Sequence, residues 1–560
     1  MNKLIPVFLL LVLSPLLWAA SPKPGSGHTH DGSVRPENES VASADGARRA
    51  LSLSKASVST TGNKKILVIR TQFKNYSFNT TYAKDSQVHD NDYYSDLLQG
   101  AVDSTVQKYY SQQSRGKLNL SFQVVGPYES NYGYAYYGEN DDTTINENDK
   151  RPGTLVQEML NKASGAADAD LDNCAVIIIH AGPGEEEDRY NFSNYIWSHK
   201  SSLTNQSDKS KYKYEADLSP VNINGKVFDN YIIVPEYTIS SKVATNAEAT
   251  IGIICHEFGH ILGLPDAYDT SYATAGVGQW SLMGGGEWGT MGRKGVASGA
   301  DPAPFMAWEL AKLGWITKKN ITPSAGSSKY YEFNNINDSS VVYCVNLGNS
   351  QYLTLEGKTK NLSGSGMAVY ETGLLITQVH DDIIEKYSSY NTINYGCYRP
   401  HGAMVVEAKA SNYKTNGLGD LWRGSSDNYR ITTTALFRND TLTTLEPVEY
   451  SSESSFVFLP LFISTIISSG VVISILLLWY YGRKKLCIVI AIAAFVTCFG
   501  MSCVIEAREG GGGTHDNGPN TNYYTSLTSV YSKTGNSGIT IYNIKCNEDG
   551  SGSFCIKKDK

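Results

Sequence analysis

Residues 245–269 read TNAEATIGIICHEFGHILGLPDAYD, and residues 279–286 read QWSLMGGG. His256 and His260 stand four apart, with Glu257 directly after the first. On a helix, positions i and i+4 lie on one face. Two imidazoles on one face grip a single zinc ion, and a neighbouring Glu takes a proton from the water at that metal. Thr245 and Glu248 form a T-x-x-E capping box, which predicts the helix start. Ile251, Ile254, Cys255, Phe258 and Ile261–Leu262 recur at helical spacing and predict one apolar face. Cys255 projects about 100° away from His256 and reads as a packing residue. Gly263 predicts a left-handed stop, and Pro265 prevents the helix from resuming. The chain then doubles back, so Asp266 approaches the metal from a second direction. Two imidazoles and one carboxylate leave a fourth position for water, as catalytic zinc requires. Asp269 reads either as a side chain that orients a ligand or as a turn residue.

HEFGHILGLPDAYD followed by WSLMGGGEW resembles the M6, immune-inhibitor-A-like, family of secreted metalloproteases, within the metzincin type. The resemblance implies His256, His260 and Asp266 as zinc ligands, Glu257 as general base and Met283 as the Met-turn beneath the site. Most metzincins carry His as third ligand, so Asp266 is a departure. VQKYYSQQSRGKLNLSF, VIIIHAGPGEE with IWSH, and PAPFMAWELAKLGWI are similar to family segments. GLLITQVHDD, AMVVEA and GDLWRGSSDNY resemble its β-rich region, so the likeness spans roughly residues 64–430. The family's Asp-rich loop is reduced here to Asp168, Asp170 and Asp172, which read as calcium ligands or as simple turn acids.

Outward from the motif, KKILVIRTQF from Lys64 and CAVIIIH (174–180) read as strands, the second continuous in Ile and Val as in a sheet interior. DSTVQKYYSQQ (103–113) and residues 154–163 read as helices, 117–125 and 232–237 as strands. This alternation predicts an α/β or α+β sandwich, and the resemblance implies an α+β metzincin-like catalytic domain, with a mixed sheet plus the active-site helix, over 64–317. The acids Glu185–Asp188 read as a calcium site, a substrate rim or a solvated loop. From Lys318 short strands between Gly, Asn and Ser turns predict an antiparallel β domain over 318–450. His380 with Asp381 and Asp382 reads as a polar strand end rather than a second metal site.

Residues 1–20 follow a signal-peptide pattern, with Lys3 before an apolar run. Residues 21–63 hold almost no large apolar side chains and read as a pro-segment or disordered leader. His28 and His30 there read as part of a solvated tail. Phe456–Tyr481 and Leu486–Ile505 are each long enough to span a bilayer. The GRKK between them predicts a transmembrane hairpin with its basic loop inside. That places the protease, and a low-complexity tail over 506–560, outside the cell membrane. The second run also resembles a lipoprotein signal ending at Cys503. Release by processing would instead give a secreted protein. The net charge of −7, with no long basic run, excludes a nucleic-acid partner. The nine cysteines include no CxxC pair, and Cys546 with Cys555 could close a small disulfide loop if the tail is extracellular.

The expected activity is zinc-dependent hydrolysis of peptide bonds in extracellular protein or peptide substrates. Zn2+ is the expected cofactor, with Ca2+ a second candidate. The alternative is a surface binding protein or adhesin that keeps zinc structurally. Nothing in the sequence sets the oligomeric state.

Overall fold

The computed structural model describes residues 18–19, 58–359 and 372–406 with several short internal breaks, 436–437, and 539–558. His28, His30 and the two apolar runs 456–481 and 486–505 lie outside the described residues. Among the described residues no helix is long and apolar enough to cross a membrane.

The first sheet is built from β1 (Trp18–Ala19), β2 (Gly62–Gln72), β3 (Leu118–Glu129), β4 (Val176–His180), β5 (His199–Ser202) and β6 (Asn230–Pro235). Its spatial order is β1-β5-β6-β4-β2-β3. The pairings β2–β3, β2–β4 and β4–β6 are parallel, whereas β5 runs antiparallel to β6, and β1 to β5. Helices α1 (Asn91–Gln99), α2 (Val106–Gln113) and α3 (Pro152–Ala163) cover it. Alternate strand residues go to opposite faces, as the period of two requires. Ile66, Val68, Ile177 and Ile179 pack with α1 and α2, whereas Leu67, Ile69, Val176 and Ile178 pack with α3. Covering both faces accounts for the unbroken apolar run of β4.

The motif helix, α4 (Gly252–Ile261), lies on the α1–α2 side. Its start corrects the capping-box expectation. Thr245 lies outside the described residues, but Ala247–Glu248 pair antiparallel with Thr238–Ile239, so Glu248 is in an extended ladder and the helix begins beyond it without a side-chain cap. The Gly252 N–H instead donates to the Gly299 carbonyl at 2.9 Å, which satisfies one free donor of the first turn. All ten residues of α4 are buried, so the expected single apolar face is a helix enclosed on every side. Its end follows the sequence. Gly263 has φ +92°, its N–H donates to His260 O, and Leu264 N–H reaches back to Gly259 O. These are the two bonds of a Schellman stop.

After α5 (Ala307–Lys312) come β7 (Thr317–Ile321), β8 (Ser328–Phe333), β9 (Val341–Gly348), β10 (Gln351–Lys358), β11 (Gly373–His380), α6 (Asp381–Tyr387) and β12 (Ala403–Val406). The second sheet runs β7-β9-β10-β11-β12. The β9–β10, β10–β11 and β11–β12 pairings are antiparallel, and two further features bear on the expectation of a separate antiparallel domain. The β7–β9 pairing is parallel. Ile336, Val342, Leu375, Val379 and Ile393 also share one buried cluster with Phe258, Met283 and Trp315, so the core does not break near residue 318.

The expected low-complexity tail is corrected too. Strands β13 (Ile539–Cys546) and β14 (Gly552–Lys558) form a hairpin that pairs with β8. Ile541, Phe554 and Ile556 bury against Phe333, Leu353 and Leu355, supplying apolar content that the polar stretch before residue 539 lacks. Cys546 lies opposite Gly552 and Cys555 opposite Tyr542, so the two are out of register and do not form a disulfide with each other.

Candidate metal centre

Helix α4 and its glycine stop bring three ligand-type side chains together. His256 Nε2 lies 3.0 Å from Asp266 Oδ1, His260 Nε2 lies 3.2 Å from the same oxygen, and the two Nε2 atoms are 3.2 Å apart. All three residues are buried. The other ring nitrogens settle the tautomers. His256 Nδ1 bonds Leu282 O at 2.9 Å and His260 Nδ1 bonds Leu264 O at 2.7 Å. A carbonyl only accepts, so each Nδ1 carries the hydrogen and each Nε2 is left with a lone pair. Two lone pairs and a carboxylate oxygen then converge on one point in a dry pocket. That convergence is repulsive unless a proton or a cation sits among them, and the N,N,O donor set suits a zinc-type ion. Among the described residues this is the one group whose ligand atoms close within 4.8 Å.

Without a metal ion, the positive charge falls on His256 itself. Burial opposes charge on His256, yet Glu287 and Asp266 override it and push its pKa up to about 10. At His260 burial prevails and the pKa falls. Burial also opposes charge on Asp266, but the two imidazoles hold its pKa below the usual value. Glu287 was not singled out in the sequence. It is buried, with a carboxylate oxygen 3.2 Å from His256 Nδ1, beside the Leu282 bond.

Glu257 is fully buried, and neither carboxylate oxygen has a hydrogen-bond partner among the described residues. Burial holds its pKa well above the carboxylate range; His256 opposes this, and Asp266 and Glu287 reinforce it. An unpartnered acid beside the cluster is costly in an inert core and fits a proton-transfer role.

Met283 lies beneath the helix. A Cβ on residue 259 would stand 2.6 Å from its sulfur, and its carbonyl accepts the Ala267 N–H at 2.6 Å. The turn is anchored through Ser281, whose Oγ donates to Glu309 at 2.7 Å and accepts the Met283 N–H. Asp269 is buried in the segment after Asp266 but is not one of the three clustered ligands.

Sequence reasoning missed Asn391 and Asn394, which reach the site from beyond α6. Asn391 Oδ1 accepts the Asp266 N–H at 2.7 Å, and its Nδ2 donates to Asp266 Oδ2. Asn394 Nδ2 donates to Ala267 O at 2.6 Å. No motif spacing links residues so far apart in sequence. A left-handed φ of 52° at Asn391, which Asn tolerates, is the nearest thing to a local signal.

The other acidic candidates have different surroundings. Asp168 and Asp170 pair with Lys65, and Asp172 with Lys64, at 2.8–3.1 Å. Glu185–Glu187 form a buried 3-10 turn rather than a solvated loop; Glu186 accepts from Ser198 N–H and Oγ, and burial pushes it to about 7. His380 caps α6, accepting the Ile383 N–H.

A buried HEFGH helix with two imidazoles, a following carboxylate and a free Glu defines a metallopeptidase-type centre. The immune inhibitor A peptidase M6 catalytic domain matches residues 54–176 and 174–316. Over residues 54–316 the chain is thus similar to the M6 metallopeptidases, a family of hydrolases. It is 29% identical over 229 residues to the pre-pro-metalloprotease PrtV of Vibrio cholerae serotype O1 (strain M66-2), covering 36% of this chain and 23% of that protein. It is 27% identical over 279 residues to Immune inhibitor A of Bacillus thuringiensis subsp. alesti, covering 43% of this chain and 38% of that protein. The chain thus spans well under half the length of these relatives.

Proposed function

We propose that this protein is a zinc-dependent endopeptidase acting on proteins or peptides outside the cell. The single observation that carries the reading is the convergence of His256 Nε2, His260 Nε2 and Asp266 Oδ1, with an unpartnered Glu257 carboxylate next in the chain. Those three atoms would hold the ion. When bound, zinc supplies Lewis acidity, polarising a scissile carbonyl and bringing the pKa of water towards ~7. Leu282 and Leu264 carbonyls keep both imidazoles turned so that Nε2 faces the ion. Glu257 takes a proton from the attacking water and returns it to the leaving amine. Met283 supports the helix from below and ties it to the Asp266 turn. The signal-like N-terminus supports export, and the two apolar runs with GRKK between them support a tether at the outer membrane face.

Casein hydrolysis by the purified full-length chain tests this. Activity is expected with zinc, lost to a chelator, and reduced about 10²–10⁴-fold in Glu257→Ala. Chelator-resistant cleavage, or full activity in that variant, would overturn the reading. Zinc binding with no hydrolysis of any peptide would return it to a surface binding protein.

A further inference from the structure

We infer that Asn391 is a positioning residue for the metal site, holding the Asp266 carboxylate so that Oδ1 alone faces the two imidazoles. The inference rests on the reading that His256, His260 and Asp266 bind a metal ion. Asp266 follows a glycine stop and a proline and belongs to no helix or strand, so its direction is not set by local structure. Asn391 supplies what is missing. Its Oδ1 takes the Asp266 N–H and its Nδ2 takes Asp266 Oδ2, so one amide grips both the backbone and the side chain of the ligand. A carboxylate gripped at Oδ2 cannot rotate to present that oxygen, and Oδ1 stays 3.0 and 3.2 Å from the two Nε2 atoms. Hydrogen bonds behind a metal ligand fix its orientation and commonly change metal affinity 10–100-fold.

The grip is itself held in place. Asn391 N–H donates to Ser388 O, and Ser388 Oγ donates to Ile384 O in α6. Three residues on, Asn394 joins Ala267 O to the Ala403 N–H at the start of β12. Asn391 and Asn394 are both fully buried, so neither bond competes with water. The match to the family's catalytic domain ends at residue 316, so the connection between β11 and β12 supplies a part of the site that the matched segment does not contain.

The left-handed backbone at residue 391 chooses the test variants. Asn391→Gly removes the amide at a φ that glycine adopts freely. Asn391→Asp keeps the acceptor for the Asp266 N–H but sets an oxygen against Oδ2. Zinc affinity of the full-length chain is measured by competition with a chromogenic chelator. Thermal midpoints are recorded in chelator and in excess zinc. Both variants are expected to bind zinc 10–100-fold more weakly. The midpoint in chelator should stay near that of the unsubstituted chain, while the rise on adding zinc shrinks. A purely structural role would lower the chelated midpoint and leave affinity alone, which would overturn the inference. So would either variant binding zinc within twofold of the unsubstituted chain. If the unsubstituted chain binds no zinc, the metal-site reading falls first and the inference with it.

Discussion

Replacing Gly252 by Ala sets two effects of opposite sign against each other. Ala is the better helix former by about 0.5–1 kcal/mol. A Cβ at this position, however, would stand 2.0 Å from the Glu287 carbonyl oxygen and 2.8 Å from Gly299 Cα. Non-bonded contacts settle near ~3.5 Å, so the gap to the oxygen must open by more than about 1 Å. Both obstructing atoms are backbone, on two different segments, so no side-chain rotation relieves the clash. The first turn of α4 has to lift, and the 2.9 Å bond from Gly252 N–H to Gly299 O lifts with it. Overpacking costs about 1–3 kcal/mol and the hydrogen bond about 1 kcal/mol more. The clash therefore outweighs propensity, with a net loss of about 1–3 kcal/mol expected. Glu287 sits 3.2 Å from His256 Nδ1, so the displacement should also weaken metal binding. Urea unfolding followed by tryptophan fluorescence reads the result; Trp280, Trp288 and Trp308 are all buried in the same cluster. The midpoint should fall with the m-value unchanged. An unchanged or higher midpoint would show that the helix start and the 287–299 segments are not in the contact argued here.

Other consequences follow from burial and charge. Burial pushes Glu215 from 4.5 to about 8, against the hydrogen bond it accepts from Thr154 N–H. The folded chain therefore keeps a proton that the unfolded chain gives up. That contribution is fully present below about pH 4.5 and is lost as pH rises through about 8. Glu215→Gln, always neutral, should exceed the parent in urea stability at pH 8 by on the order of a few kcal/mol. The gap should close towards pH 5, and a pH-independent gap would contradict the assignment. Phe554→Ala should cost about 3–5 kcal/mol in the same assay, because the ring is fully buried between Tyr331, Phe333 and Tyr343. A loss under about 1 kcal/mol would mean the hairpin packs elsewhere.

The candidate site was legible because its parts are local. HEFGH, the Gly263 stop and Asp266 fall within eleven consecutive residues, and helical spacing with a left-handed turn brings their ligand atoms to within 4.8 Å. The strands of the first sheet were legible for a similar reason, since VIIIH is apolar on both faces and is covered on both. What failed was whatever depends on a distant partner. The Thr245–Glu248 tetrad satisfies a capping pattern, yet pairing with Thr238–Ile239 claims Ala247–Glu248 for a strand. Glu185–Glu187 look solvated, yet Ser198, Asn140 and the fold around them enclose the run. Asn391 carries no pattern at all; its role exists only once α6 has brought it against Asp266.

The composition shift near residue 318 looks like a domain boundary, but the packing argues that it is not an energetic one. Turn-rich short strands differ from helix-rich sequence because they solve different backbone problems, and neither pattern says which apolar surface meets which. Glu309, in α5, accepts from Ser281 Oγ below the Met283 turn. Glu356 Oε2, in β10, accepts the Ala307 N–H at the start of that same helix. Arg115, after α2, donates to the Ile336 and Ser339 carbonyls across the presumed divide. Together with Asn391 on Asp266, these contacts run from the second sheet into the layer that carries the metal cluster. A chain ended at residue 317 would leave Phe258, Met283 and Trp315 short of the apolar neighbours they share with Val342, Leu375 and Ile393. Each such side chain contributes about 1.5–3 kcal/mol through burial, against a net stability of only about 5–15 kcal/mol for a typical domain. The physical unit that holds this site is therefore larger than the segment that carries its motif.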